Sequence, residues 1–473
     1  MTLSKLFDKK CVQLGGLALL ALWAVVSIVL SYFKIRINED SSYYIGVVRL
    51  ILDGKIPFKD FFLGYTPLSF YLLSVPCKIF GCTFNVGIFF IYLLHFCNAL
   101  ILYKICRKYV KSIPLATYCA ILCFILCLGR DGRIYVLEPF VLMFGLSALY
   151  VQHLKFRWRD VVAGFLCFCA FWCKQYGIGF FCLCVALILL HGQFSKISWR
   201  QTANLLIGFF IGAIFFVSIL SLIGVPLSDL INLSGSDYER DGLYGLFGSW
   251  KAVCISLPLL VISIILMLSS LKNYSKHAML IVAFFGIAGF LLQCYVRFYS
   301  HYMMLAMPFC VLMLLLCADT IKTPRYRKIY QYAFILSSII PCYFMQKTNM
   351  ELCRSNERAS QEKCACIIRE HIPNGSKDVF TGMTFLPTTL QNEYEAPLLD
   401  KYGLSNGFVR KSEEVLELIK ASRYCLISSI DFEKKEKYSY EVHKYLSENF
   451  NMQTLSVPEE LGKCYFYTRK SNY

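Results

Sequence analysis

The feature that most constrains this chain is a series of long apolar runs. The first extends from Leu14 to Phe33, ten more follow, and only 17% of the 473 residues are charged. A water-soluble protein of this size would carry about a quarter charged residues. The first run is too long for a signal-peptide core and lacks a small-residue cleavage site, so we interpret it as a retained anchor. The sequence therefore predicts an integral, multi-pass membrane protein.

Eleven apolar spans predict an all-α polytopic fold with about 11 transmembrane helices. They form a predicted transmembrane domain of residues 1–345, with an outer loop at 34–83 that carries interfacial helices. The two spans that flank Lys174 have only 13 and 14 residues, so they form either one long tilted helix or a hairpin of two short helices. The spans are Leu14–Phe33, Phe84–Tyr103, Ile113–Leu128, Ile134–Val151, Val161–Cys173, Gly177–Leu190, Ala203–Gly224, Ala252–Leu271, Ala278–Tyr295, Tyr302–Ala318 and Ile329–Met345.

The charge distribution predicts the orientation. The net charge of +17 comes entirely from the membrane part, because residues 346–473 carry 18 Lys/Arg and 18 Asp/Glu. With a hairpin at Lys174, alternate loops hold 18 Lys/Arg and the opposing short loops hold six. The positive-inside rule then places the N-terminus in the cytoplasm and the tail outside. Of the 13 Asp/Glu before residue 346, only Asp8, Asp160 and Asp319 fall on the cytoplasmic side, so the outer face carries the carboxylates. This distribution argues against a nucleic-acid surface.

The tail, residues 346–473, predicts a small soluble α/β domain outside the cytoplasm. The chain has no Walker loop, dinucleotide fingerprint or zinc-ligand spacing. Most of its 23 cysteines lie inside apolar runs, where cysteine acts as a small hydrophobe. Two pairs outside the runs, Cys77 with Cys82 and Cys364 with Cys366, leave disulfide formation open. The predicted elements of the tail are strand Val379–Met383, helix Ser412–Ala421, strand Tyr424–Ile430, helix Tyr440–Phe450, and strands Met452–Val457 and Cys464–Thr468.

Two adjacent carboxylates, Glu39 and Asp40, follow the first apolar run directly. Apolar residues beyond them repeat at helical spacing as far as Gly54, which predicts a short interfacial helix with Asp40 or Ser41 as its N-cap. Adjacent carboxylates beside a bilayer suit general-base or metal chemistry on a lipid-borne substrate. The alternative is that Asp40 only caps the helix, and these residues alone leave the choice open.

Two more ionisable groups are predicted at outer helix ends. Glu138 lies about one turn inside an apolar span, so it should face a polar cavity or a cation. The alternative is a pair with Arg133 that only fastens two helix ends. Lys174 lies at the tip between the two short spans, which suits a lysine that meets a lipid phosphate. Its alternative is a lysine that snorkels to the surface.

Arg297, His301 and Tyr302 form a third polar group at the same predicted rim. They could bind a phosphate, while anchoring by an aromatic belt is the alternative. These groups are predicted on one membrane face. There the acids could activate an acceptor and the cations could bind a phosphate leaving group. A transferase that uses a lipid-phosphate donor outside the cytoplasm would need both.

Several motifs extend over nearly the whole chain. They are Glu39-Asp40-x-x-Tyr43, Asp53-Gly54-x-x-Pro57-Phe58-x-Asp60, Thr66-Pro67-Leu68-x-x-Tyr71, Glu138, Lys174-Gln175-Tyr176-Gly177, Arg297-x-x-x-His301-Tyr302 with Pro308, and Ile372-Pro373-Asn374-Gly375-Ser376. Together they resemble the class C (GT-C) glycosyltransferases. The closest likeness is to the branch of protein O-mannosyltransferases and lipid A aminoarabinose transferases.

This resemblance implies a polyprenyl-phosphate-dependent membrane glycosyltransferase, a hexosyl- or pentosyltransferase of cell-envelope glycan biosynthesis. It would transfer a sugar to a glycan, lipid or protein acceptor outside a bacterial inner membrane, with inversion by single displacement. Some relatives need a divalent metal ion and others do not, so the resemblance leaves a metal at the carboxylates undecided. The implied catalytic residues are Asp40 or Glu39 with Glu138 in support, and the implied donor phosphate site is Lys174, Arg297, His301 and Tyr302.

A different class of protein also fits an apolar chain with ionisable groups, namely a lipid-linked-sugar flippase or other polytopic transporter. Transporters usually carry such groups near the middle of the bilayer. Here the groups are predicted at the outer ends of the spans, which favours the enzyme.

Overall fold

The computed structural model is mostly helical, with a four-stranded sheet near the C-terminus. It describes residues 18, 21, 22, 24–26, 28, 29, 32–61, 63–225, 242–270, 274–296, 298–337, 339–373, 376, 379–381, 412–429, 439–458, 461 and 463–470.

The described helices are, in chain order, α1 Glu39–Leu52, α2 Leu68–Phe80, α3 Phe84–Tyr109, α4 Ile113–Cys127, α5 Glu138–Val151, α6 Arg159–Cys173, α7 Ile178–His191, α8 Lys196–Leu222, α9 Gly242–Ser256, α10 Leu259–Ser270, α11 Ala278–Leu291, α12 Met307–Cys317, α13 Pro324–Ser337, α14 Ile339–Arg354, α15 Glu357–His371, α16 Ser412–Ala421 and α17 Tyr440–Asn449. The strands are β1 Val379–Thr381, β2 Tyr424–Ser428, β3 Phe450–Leu455 and β4 Cys464–Arg469.

The chain forms two compact units, which are described separately below. The first unit draws on residues 1–30, 91–220 and 239–351, and so contains most of the apolar helices. The second draws on residues 31–90, 221–238 and 352–473, and so contains α1, α2 and the sheet.

Four stretches of the described chain are long and apolar enough to cross a membrane. They are α3, α8, Ala278–Tyr295, which contains α11, and Ser300–Thr320, which contains α12. The pair α9 and α10 would make a fifth, and four shorter apolar helices also occur. The protein is therefore an integral membrane protein, whereas the predicted count of about eleven spans is not confirmed.

The predicted span Ala252–Leu271 is not one continuous helix, because the helix breaks within it. Helix α9 ends at Ser256 and α10 begins at Leu259, with a bend of 104° between them. Pro258 explains the break, since proline lacks an N–H and disfavours a helical conformation at the residue before it.

The chain around Lys174 forms a helical hairpin, as the hairpin alternative predicts. Lys174 is extended (φ −163°, ψ 139°) and ends α6, and a short 3-10 turn then leads into α7. Across the two helices, the Cys167 and Cys184 sulfurs lie 3.8 Å apart. At Gly177, an added Cβ would lie 2.2 Å from the backbone of Ala170, so the turn accepts only glycine without rearrangement. The single tilted helix is therefore wrong.

The sheet confirms the predicted small α/β arrangement of the tail. Its strand order is β1-β2-β4-β3, with β1 parallel to β2 and the other neighbours antiparallel. Helix α16 has the predicted bounds, and each strand starts at or within two residues of the predicted position. The buried core between α16, α17 and the sheet consists of Phe380, Val415, Ile419, Cys425, Ile427, Val442, Leu446, Phe450 and Tyr467.

Candidate active site

Glu138 is positioned by the start of α5 in the first unit. It is the first residue of the helix, and its side chain is fully buried. Asn98 of α3 secures this helix start, because its Nδ2 donates a hydrogen bond to the carbonyl of Pro139 at 2.9 Å. A helix N-terminus favours a negative charge. A carboxylate buried to this degree still needs a cation nearby.

Lys174 supplies that cation. Its Nζ lies 2.6 Å from Glu138 Oε1, and its side chain is 2% exposed. The predicted pair between Glu138 and Arg133 is therefore wrong. The snorkelling alternative for Lys174 is also wrong, because a snorkelling ammonium would reach water. The second carboxylate oxygen, Glu138 Oε2, is buried and has no hydrogen-bond partner in the described part of the chain.

Two tyrosine rings enclose the Lys174 ammonium. Its Nζ lies 4.7 Å from the ring centre of Tyr302 and 5.3 Å from that of Tyr176. The two rings pack edge to face, with 5.3 Å between their centres. Each ring face attracts a cation, and the attraction is stronger where water is excluded. The ammonium is thus held between one carboxylate and two aromatic faces.

His301 joins this cluster from the 3-10 segment Ser300–Ala306. It is 7% exposed, stacks on Tyr299 at 5.2 Å between ring centres, and contacts Tyr302 at 4.7 Å. It also lies within electrostatic range of Glu138. The 3-10 segment therefore brings a histidine and a tyrosine to the buried ion pair, which gives the cluster a carboxylate, an ammonium, an imidazole and phenol rings.

A π-helical turn, Leu128–Gly132, packs against the segment Ser300–Ala306. Within it, Asp131 has a positive φ of 62°, a conformation that costs energy for a residue with a side chain. A Cβ at Gly132 would lie 2.4 Å from the carbonyl oxygen of Cys127, which explains the glycine there. Single π-helical turns and strained residues occur often at functional sites. The residue pattern of this segment does not predict the π-helical turn.

Glu39 and Asp40 lie in the second unit, at the start of α1. The N-cap is Asn38, whose Oδ1 accepts a hydrogen bond from the Ser41 N–H at 3.1 Å. The prediction that Asp40 or Ser41 caps the helix is therefore wrong, and so is the alternative in which capping accounts for Asp40. Asp40 is half-buried in the first turn of the helix. The side chain of Glu39 lies outside the described part of the structure, as does the whole of Arg297.

The segment that leads into α1 is fastened to α15 within the same unit. The Gln361 side chain donates to the carbonyl of Ile37 at 2.8 Å and accepts from its N–H at 2.9 Å. Arg36 also forms an ion pair with Glu357 at 3.1 Å. These contacts set the position of Asn38, and hence the direction in which α1 starts. No local sequence pattern signals them, because the partners are separated by more than 300 residues.

Of the seven residues predicted for the site, the structure brings four together: Glu138, Lys174, His301 and Tyr302. The sequence analysis includes Tyr176 only as part of a motif. Its position two residues after Lys174 is the signal that could have placed its ring beside the ammonium. Among the described residues, no group of three or more His, Cys, Asp or Glu could hold a metal ion. A metal at the carboxylates stays a prediction.

No family model matches the chain, and no curated protein matches it. Solved structures do match. ArnT from Cupriavidus metallidurans bound to undecaprenyl phosphate has a TM-score of 0.63 at 12% identity, over 97% of this chain and 98% of that chain. The Archaeoglobus fulgidus oligosaccharyltransferase in the apo form has a TM-score of 0.55 at 14% identity, over 98% of this chain and 75% of that chain. Its complex with Zn and sulfate gives 0.53 at 14% identity, over 94% and 72%.

At such low identity the likeness shows the fold alone, which this chain shares with ArnT and the oligosaccharyltransferase. The resemblance predicted from the sequence motifs is thereby confirmed for the architecture. The match with ArnT extends over nearly all of both chains.

Proposed function

We propose that this protein is a glycosyltransferase that moves a sugar from a polyprenyl-phosphate donor to a glycan, lipid or protein acceptor on the outer side of a membrane. One observation carries the proposal. A buried lysine, paired with Glu138 and flanked by His301 and Tyr302, lies in a fold shared with a transferase solved with undecaprenyl phosphate bound.

Lys174 is the proposed centre of the donor phosphate site. Glu138 holds the ammonium in one orientation, so little side-chain entropy is lost when a phosphate arrives. In a site shielded from water, a fixed cation stabilises negative charge far more than it does in solution. The charge on the carrier phosphate grows as the bond to the sugar breaks. His301, Tyr302 and, from the sequence motif, Arg297 are proposed to complete this site.

The proposed reaction is a single displacement with inversion. Asp40 or Glu39 accepts the proton of the acceptor hydroxyl, and the acceptor oxygen forms a bond to the anomeric carbon. The bond between that carbon and the phosphate oxygen breaks, and the carrier leaves as polyprenyl phosphate. Because Asn38 caps α1, capping does not account for the Asp40 carboxylate. Which of the two carboxylates acts as the base is part of the proposal to be tested.

The proposed location is a bacterial inner membrane, as the sequence resemblance of the tail implies. The loop charges support an N-terminus in the cytoplasm and a tail in the periplasm. In that orientation Glu39 and Asp40 face the periplasm, where nucleotide sugars are absent and a lipid-linked donor is available. The competing proposal, a flippase for lipid-linked sugars, places the same lipid phosphate at the same cations but forms no new glycosidic bond.

Transfer in proteoliposomes tests the proposal. The full-length protein would be supplied with a panel of polyprenyl-phosphate sugars and with periplasmic glycan, lipid and protein acceptors. Transfer of one sugar, its loss in Asp40→Asn or Glu39→Gln, and full activity in Lys104→Ala, an exposed lysine of α3, would support the enzyme. Movement of the lipid-linked sugar across the bilayer with no transfer to any acceptor would overturn it in favour of the flippase.

A further inference from the structure

A cavity of about 290 Å³ lies in the first unit, where four helix ends meet. Helix α5 ends there and α6 begins there, and α7 ends there and α8 begins there. Since α5 has 14 residues, it is about 21 Å long. Glu138 lies at its opposite end, so this cavity is separate from the proposed donor site and does not depend on it.

The wall of this cavity combines polar, basic and apolar side chains. Leu187 and Ile188 of α7 form an apolar side, and Gly192 follows the end of that helix. The polar side consists of Gln152, His153, Arg159, His191 and Gln201. An apolar wall beside a cluster of donors suits an amphiphilic anion better than a free cation or a purely apolar molecule.

His153 lies in the cavity beside other basic side chains. The Tyr109 hydroxyl lies 3.3 Å from its Nε2 and holds the ring edge to face. Burial, and then the charges of His191, Lys108 and Arg159, together lower the pKa of His153 to about 4. The neutral ring is therefore a hydrogen-bond donor or acceptor rather than an additional cation at pH 7.

The Asp160 carboxylate offsets part of the positive charge beside the cavity. Arg159 Nε lies 3.3 Å from Asp160 Oδ1, and Asp160 is 5% exposed. Gln152 is 9% exposed and lies near the same carboxylate. Its Nε2 approaches this carboxylate without ordinary hydrogen-bond geometry. A buried amide donor held in so weak a contact can still donate to a ligand oxygen in the cavity.

We propose that this cavity binds a phosphate group, either on the headgroup of an anionic lipid or as free inorganic phosphate. Arg159 supplies the charge, while Gln152 and Gln201 supply neutral donors. The cavity belongs to the end of the helices that the positive-inside rule assigns to the cytoplasm, where anionic lipids and juxtamembrane cations meet. Leu187 and Ile188 would contact the glycerol or upper acyl chains of a lipid.

Native mass spectrometry of the full-length protein in nanodiscs would test this site. The probes are phosphatidylglycerol, diacylglycerol as the matched lipid without phosphate, and inorganic phosphate as a competitor. Arg159→Gln should weaken binding of phosphatidylglycerol by about tenfold or more, as expected for loss of a charge-assisted hydrogen bond. Arg157→Gln is the matched control, because this exposed residue stacks on Trp158 in the same loop and does not line the cavity. It should change binding by less than about twofold.

A second variant guards against misfolding of the first. Gln152→Leu keeps every charge and should weaken binding about threefold to tenfold. Competition by inorganic phosphate would identify the phosphate group alone as the ligand, and binding of phosphatidylglycerol without such competition would identify the lipid. Equal loss in Arg157→Gln and Arg159→Gln, no loss in Arg159→Gln and Gln152→Leu, or equal binding of diacylglycerol would overturn the proposal.

Discussion

The buried pair of Glu138 and Lys174 makes a quantitative prediction about stability. Lys174→Met removes the ammonium and leaves a fully buried carboxylate without its cation. Glu138→Gln leaves a buried ammonium without its anion. Each single change should lower the free energy of unfolding by about 3–5 kcal/mol, the usual cost of an uncompensated buried charge. The double variant leaves no charge and should lose no more than about 2 kcal/mol, because neutral replacements of buried pairs are often tolerated.

The expected loss of unfolding free energy follows from the burial of both side chains rather than from the short distance between them. The two side chains are 2% and 0% exposed, and their closest atoms lie 2.6 Å apart. The pair of Arg36 and Glu357 is the matched control, since its atoms lie 3.1 Å apart but its side chains are 62% and 44% exposed. Arg36→Gln and Glu357→Gln should show a coupling below about 1 kcal/mol.

Reversible unfolding by SDS in mixed micelles, followed by tryptophan fluorescence, would give the four free energies of each cycle. The buried pair should show a coupling of at least about 3 kcal/mol. Additive single changes, with a coupling near that of the exposed pair, would refute the view that Glu138 and Lys174 compensate each other in the interior.

Three further predictions concern the base, the hairpin and the tail. Asp40→Asn should lower turnover by about 10²–10⁴-fold with donor binding unchanged, and full activity in both this variant and Glu39→Gln would remove the carboxylates from the mechanism. Gly177→Ala should lower the Tm measured in detergent, because its Cβ would lie 2.2 Å from the backbone of Ala170, and an unchanged Tm would contradict the tight turn. Burial raises the pKa of Cys464 to about 12, so at pH 8 only about 10⁻⁴ of this thiol is ionised, against about 0.2 for a free thiol. Its alkylation should be about 10³-fold slower in the folded protein than in urea, and should accelerate about tenfold per pH unit below pH 12; equal rates would contradict its burial.

The sequence predicted the features that depend on length and composition. The two short spans that flank Lys174 left a hairpin and a single tilted helix open, and the loop charges favoured the hairpin that the structure shows. The tail elements follow from their alternating pattern, and α16 has the predicted bounds. The break at Pro258 was also readable from the sequence, because proline rarely occupies a helix interior, but continuous hydrophobicity over Ala252–Leu271 concealed it.

Ion pairs and hydrogen bonds between residues far apart in the chain could not be predicted from length and composition. The need of Glu138 for a cation was predictable from its place inside an apolar span, but Arg133 was the partner that the sequence suggested, and only the fold shows that Lys174 takes that place. The cap of α1 was misassigned because Asn38 precedes other residues that also cap helices well. Gln361 gave no signal, because its hydrogen bonds to Ile37 connect segments far apart in the chain.

Binding of a polyprenyl phosphate to Lys174 variants tests the proposed donor site most directly. The full-length protein, Lys174→Arg, Lys174→Ala and the exposed control Lys104→Ala would be titrated with undecaprenyl phosphate and with undecaprenol, which lacks the phosphate. Lys174→Ala should weaken binding of the phosphate by about tenfold or more, and Lys174→Arg should weaken it less, since the charge remains while its shape changes. Undecaprenol binding and the control should be unaffected. Equal affinity of all four proteins for undecaprenyl phosphate would contradict the assignment of Lys174 to the donor site.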